Sequence, residues 1–214
     1  LLAERLHIPA SFFINESNSE TANETFTVTA DEFFQKSKQT ILSISSTLLN
    51  SPNEAKAALD DLMLKIDLNT NNLSYAELLK KAGSCYLKLS QFTAAQNCFN
   101  SCQRLYELNY LFVPAAEMHL ETRHIYMNEF DMQGCLSVLS EAKEIYSNTL
   151  SRDISFEIKL LYQKICCYMM FDIGEIPTME LLTQALDLSA KGKLFYYDEL
   201  LGLKAQLLLD TCSF

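Results

Sequence analysis

The chain has 214 residues, 49% of them apolar, with only five glycines and four prolines and a mean hydropathy near zero. That composition suits a mostly helical domain with a sizeable core. A formal charge of −10 argues against a nucleic-acid surface on these residues, because backbone phosphates must be met by clustered Lys and Arg. The longest apolar run, Ile165 to Phe171, is far shorter than the roughly 20 residues that cross a bilayer.

In chain order, residues 1–14 differ in character from the rest of the chain. Leu2, Ala3, Leu6, Ile8, Pro9, Phe12 and Phe13 fit either an ordinary amphipathic helix and a turn or the closing segment of a small helical bundle. The Ser/Asn/Glu/Thr-rich stretch 15–29 reads as a linker, and its alternation Thr25-Phe26-Thr27-Val28-Thr29 is too short for a convincing strand. Three S/T-x-x-E boxes, Thr29 with Glu32, Ser51 with Glu54 and Ser74 with Glu77, predict helix starts, the second reinforced by Pro52. Helices are expected at about 30–49, 53–67, 73–89, 92–108, 113–128, 132–148, 151–171, 177–191 and 194–212.

The third and fourth of these helices carry the most specific pattern. Leu79, Ala82, Gly83 and Tyr86, then Ala95, Phe99 and Cys102, resemble the tetratricopeptide (TPR) spacing, in which two antiparallel helices cross tightly. Small residues at Gly83 and Ala95 let the backbones approach, and the aromatic rings fill the space around the crossing. A shift of forty residues places Tyr126 on Tyr86, Cys135 on Ala95, Leu139 on Phe99 and Ala142 on Cys102, with Arg123 in place of the glycine and His119 in place of Leu79. A looser third copy runs from Tyr168 through Leu182 and Ala185, with an insertion near Gly174 and Pro177. The expected fold is therefore all-α, a right-handed superhelical solenoid of degenerate TPR-like hairpins over residues 30–214. Tyr86, Phe99, Tyr126, Leu139 and Leu182 should be buried in it. The chain opens on Leu1-Leu2 and closes on an apolar run, Leu207 to Leu209, and is expected to be part of a longer protein. That run should be covered by more chain or by a second protomer.

Residues 1–14 resemble the end of a Cro/CI-type (XRE) helix-turn-helix domain. Joined to a linker and to TPR-like repeats nearer forty than thirty-four residues, they make the chain similar to the RRNPP family of peptide-responsive regulators of Gram-positive bacteria. The resemblance implies a cytoplasmic, homodimeric quorum-sensing transcription regulator. A short signalling peptide would lie in the concave TPR groove and control DNA binding by the helix-turn-helix domain, whose recognition helix is not in this sequence. With Gly83 as register, groove-facing positions fall at Glu77, Lys80, Ser84 and Lys88, then at Glu117, His124 and Asn128, then at Lys159, Tyr162 and Cys166. Side chains such as Ser84, Asn128 and Tyr162 can pair with a peptide backbone, and Lys80 and Lys88 can take a carboxylate. Two alternatives stand beside this reading: a general TPR adaptor that clamps a partner's C-terminus through Lys80, Lys88 and Asn128, and a Rap-like regulator of a response-regulator protein.

No catalytic constellation is visible, and the chain is not expected to be an enzyme or to need a cofactor. His119 and His124 lie five apart, about 140° around a helix, too far to share a metal ion. Glu121 and His124 sit on one face and read as a helical ion pair. The seven cysteines, at 85, 98, 102, 135, 166, 167 and 212, include no C-x2-C pair. Reduced, mostly buried thiols are expected, with no metal site and no membrane contact.

Overall fold

The computed structural model describes residues 20–66, 72–192 and 195–211, with side chains defined from residue 32 to residue 209. Among them every regular element is an α-helix. The order is α1 (Glu20–Thr47), α2 (Pro52–Leu64), α3 (Ser74–Lys88), α4 (Phe92–Leu108), α5 (Phe112–Asn128), α6 (Met132–Tyr146), α7 (Ile154–Met170), α8 (Glu175–Lys191) and α9 (Tyr197–Thr211). The helix-turn-helix reading of 1–14 lies outside the described residues. Helix α1 begins at Glu20, within the stretch 15–29 read as a linker, and not near residue 30.

From α3 onward the helices are built on a period that the forty-residue alignment conceals. Residues 86, 106, 126 and 146 are all tyrosine, a spacing of 20. After three of them the chain ends its helix in the same way. Ser90, Tyr110 and Phe130 take positive φ values of 56°, 58° and 55°. The next amide then returns to the tyrosine carbonyl, with Gln91 N donating to Tyr86 O, Leu111 N to Tyr106 O and Asp131 N to Tyr126 O, each at 2.9 Å. This is the Schellman closure, which satisfies carbonyls at the helix end that would otherwise lack a partner. Tyr168 repeats it through Asp172 (φ 49°) and Ile173. Three-residue connections then suffice to turn the chain back between α3 and α4, α4 and α5, and α5 and α6.

Within a pair the helices run antiparallel. The Cys102 thiol bonds to Ala76 O, while further along α3 Gly83 meets the Phe99 ring. Small side chains recur every 20 residues at 82, 102, 122 and 142, all buried (Ala82, Cys102, Thr122, Ala142). A second small set, Ala95, Ala115 and Cys135, is buried as well. These positions let each helix approach its neighbour closely, and apolar side chains interdigitate around them. Three buried clusters succeed one another, the first spanning α1 to α5, the second α5 to α7 and the third α7 to α9. Tyr86, Phe99, Leu139 and Leu182 are buried as expected, while Tyr126 is half-buried. Leu207 packs into the third cluster, but Leu208 and Leu209 retain 46% and 69% of their accessible surface, so the expected burial of this run holds at its first residue alone.

The caps that close helix starts are not the ones the sequence motifs announce. Thr29 lies inside α1, Ser74 is already the first residue of α3, and Ser51 precedes Pro52 without making a side-chain cap. Asp131 and Asp153 serve instead, their carboxylates accepting from Gly134 N at 2.9 Å and Phe156 N at 3.0 Å. A carboxylate at this position both satisfies an orphan amide and meets the positive end of the helix dipole.

The packing makes two positions testable. A Cβ added to Gly83 would lie 2.6 Å from Phe99 Cε1, and the ring is fully buried, whereas one added to Gly202 meets nothing within 4 Å. Gly83→Ala should therefore cost about 1–3 kcal/mol, and Gly202→Ala should gain about 1 kcal/mol, in urea unfolding. Phe130 holds a left-handed conformation with its side chain 77% exposed. Phe130→Gly should relieve the backbone cost and raise the unfolding free energy by about 1 kcal/mol.

Candidate functional site

Alternate helices also touch, α3 with α5 and α5 with α7, which brings one face of each onto a common surface. The groove register assigns ten residues to that surface, and three of them converge. Glu117 of α5 accepts a hydrogen bond from Lys159 Nζ of α7 at 2.9 Å through Oε1, and one from Lys80 Nζ of α3 at 3.3 Å through Oε2. All three side chains are partly buried. A strict forty-residue shift pairs Lys80 with Leu120, which is buried beneath the surface, so the contact runs diagonally to the residue one turn earlier. Burial alone would raise the Glu117 carboxyl, but the hydrogen bonds and charges of Lys159 and Lys80 outweigh it and hold the group below its ordinary value of 4.5. The result is a carboxylate with both oxygens engaged, flanked by two ammonium groups that keep further donors and one net positive charge.

The remaining seven residues contribute unequally. Ser84 Oγ donates to Lys80 O at 3.0 Å and Asn128 Nδ2 to His124 O at 2.7 Å, so each commits a donor to its own helix and keeps an acceptor. Glu77, Lys88 and Asn128 are exposed. Tyr162 packs its ring against Tyr196, with centroids 4.9 Å apart, and lies beside the Cys166 thiol. Burial, then Cys166, raises the Tyr162 phenol, and burial raises the Cys166 thiol, leaving both neutral. His124 does not form the expected ion pair with Glu121. Burial first, then the Arg123 charge, lowers its pKa against the opposing pull of Glu121.

Behind this face lies a group that the sequence pattern does not reveal. Arg123, which stands where the repeat expects glycine, is 3% exposed and has no partner among the described carboxylates. One end of its guanidinium faces Met127 Sδ and the Cys167 thiol, the latter at 3.6 Å, and its Nε has no hydrogen-bond partner. The absence of glycine at 123 is the only signal in the sequence, and it points to a wider crossing rather than to a buried cation. His119, in the place of Leu79, contacts Glu141 at 3.4 Å. Burial holds its pKa down against Glu141 and Glu107, so at neutral pH the contact joins a neutral ring to a carboxylate. Cys85, Cys98, Cys102, Cys135, Cys166 and Cys167 are free thiols, and burial pushes Cys98, Cys102 and Cys135 up to about 12. Among the described residues no group of His, Cys, Asp and Glu is arranged to hold a metal ion, and no helix is long and apolar enough to cross a membrane.

Glu117 has a folded pKa below its unfolded one, so its contribution to stability is complete above 4.5 and is lost as pH falls through the lower folded value. Glu117→Gln should cost roughly 1 kcal/mol at neutral pH, discounted for partial exposure. The difference from wild type, tracked by urea unfolding from pH 7 downward, should shrink below pH 4.5; a constant difference would show that the carboxylate charge contributes nothing. Comparison of the chain with protein-family models, with curated proteins and with solved structures gave no match.

Proposed function

We propose that α3 to α9 are a right-handed solenoid of degenerate TPR-like hairpins that receives a short peptide on the face shared by α3, α5 and α7. The protein would then be a cytoplasmic, homodimeric regulator of the RRNPP type. Peptide binding in the groove would control a helix-turn-helix domain to which residues 1–14 belong, and any contact with DNA would be made by that domain. The observation that carries the reading is the convergence of Lys80, Glu117 and Lys159 from three alternate helices. It supports a continuous concave surface of the kind a TPR groove offers, and it concentrates positive charge there in a chain of net charge −10.

The same three residues give the ligand a chemistry. Two lysines share one carboxylate, so a second carboxylate, at the peptide's C-terminus or on an acidic side chain, finds unsatisfied ammonium donors beside it. Asn128 Oδ1 and the Ser84 lone pairs accept from backbone amides of an extended chain. Nothing in this arrangement performs chemistry on the ligand, and the proposal is a binding protein and not an enzyme.

A pool of fluorescein-labelled heptapeptides with free C-termini, and the same pool amidated, tests the reading by fluorescence polarisation. The free-acid pool should be retained, and the Lys80→Ala/Lys159→Ala variant should weaken it by about 1–3 kcal/mol with helical content unchanged. Asn128→Ala should give a smaller loss in both pools. Equal retention by wild type and the double-lysine variant would end the groove assignment.

A further inference from the structure

Helix α7 carries a second surface opposite the proposed groove. At 100° per residue, Leu160, Leu161, Lys164 and Tyr168 lie on the far side of the helix from Lys159, Tyr162 and Cys166. There they border an open cavity of about 500 Å³ lined by α6, α7 and α8, a volume in the range of small-molecule sites. The cavity has a structural cause. Successive tyrosines are 20 residues apart up to Tyr146, but Tyr168 comes 22 later, and residues 147–153 replace the usual three-residue turn. As a result α7 packs less closely on α6 than α5 does on α4.

The lining has two parts. Leu136 and Leu139 of α6, Leu160 and Leu161 of α7 and Leu188 of α8 supply an apolar lining. Lys143 and Lys164 line it as well, and neither makes an ion pair with a described carboxylate. Lys164 Nζ lies 5.5 Å from the Tyr168 ring centroid. The carboxylate at the cavity, Glu157, is committed elsewhere. Arg152 grips both its oxygens at 2.8 and 2.7 Å, and Tyr146 Oη lies 3.2 Å from Oε1. A mostly apolar cavity with two ammonium groups outside any described ion pair, and a neutralised carboxylate, matches an anion that carries an apolar body.

We propose that this cavity is a binding site for a small carboxylic acid with a flexible apolar chain, the chain lying among the five leucines and the carboxylate meeting Lys143 and Lys164. The site is independent of the peptide groove, because it uses the opposite face of α7 and none of the ten groove residues. The acid enters from solvent, its chain displaces water from leucine surfaces, and its charge supplies the two lysines with a counter-ion.

Calorimetric titration of the whole chain with octanoate, octanamide and octylammonium tests the site. Octanoate should bind saturably with one site per chain, octanamide about tenfold more weakly and octylammonium more weakly still, the tenfold step being the worth of one charge-assisted contact. Lys143→Gln/Lys164→Gln should reduce octanoate binding to the octanamide level while leaving octanamide unchanged, and Leu161→Glu should abolish both. Lys80→Ala/Lys159→Ala, which disrupts the groove, should bind octanoate like wild type. The site is refuted by the absence of saturable octanoate binding, by equal affinity for octanoate and octylammonium, by undiminished binding in the Lys143/Lys164 variant, or by loss in the groove variant.

Discussion

The return of one backbone amide to a tyrosine carbonyl, five residues earlier, sets the geometry of everything from α3 to α6. It stops each helix at an equivalent point and reverses the chain within three residues. Side chains 20 apart in sequence therefore meet equivalent neighbours, which is why Ala82, Cys102, Thr122 and Ala142 are all buried at close approaches. None of the closing residues is glycine, so the left-handed backbone is held by the packing on either side and not by intrinsic preference. Where the period slips, between Tyr146 and Tyr168, helix contact loosens and a cavity takes its place.

Much of this is legible in the residues. Gly83 opposite Phe99, the buried Ala95 and Cys102, and the helix pair they join are all implied by the spacing between residues 79 and 102. The true period does not emerge, because the TPR template compares pairs of helices and so aligns 86 with 126, passing over 106. Four evenly spaced tyrosines are the available signal. The S/T-x-x-E boxes mislead for a local reason. A Ser or Thr caps only where its own backbone is extended, and Thr29 and Ser74 are already in helical segments, whereas Asp131 and Asp153 sit in extended backbone that presents the carboxylate to the free amides. On the candidate site, periodicity placed Lys80, Glu117 and Lys159 on adjoining faces. Their mutual pairing depends on the lateral offset between neighbouring helices, which no single-helix register contains. Arg123 is illegible because its burial among sulfur atoms depends on α5 and α7 together.

Charge is distributed against the average of the chain. Lys56 and Lys65 form surface pairs with Asp60 and Asp61 one turn away. Lys80 and Lys159 instead share a single carboxylate across helices, while Lys143 and Lys164, like Lys36, Lys38, Lys81, Lys88, Lys191 and Lys204, have none among the described residues. Tyr86 adds a further polar tie at the start of the stack by donating to Asp60 at 2.6 Å. That contact joins α2 to α3, and it lowers the Asp60 carboxyl after the larger effect of its bond to Lys56.

Among the described residues the main helix contacts are with the next element or the next but one, and the buried clusters hand over from one to another without a shared centre. Such a connectivity is almost one-dimensional, with contacts short in sequence, a condition for rapid folding and for opening in segments and not all at once. The seam between α6 and α7 is a weak coupling along that line. Amide hydrogen exchange should show protection falling at this seam, while the second buried cluster and the Tyr146–Glu157 contact keep its two sides joined.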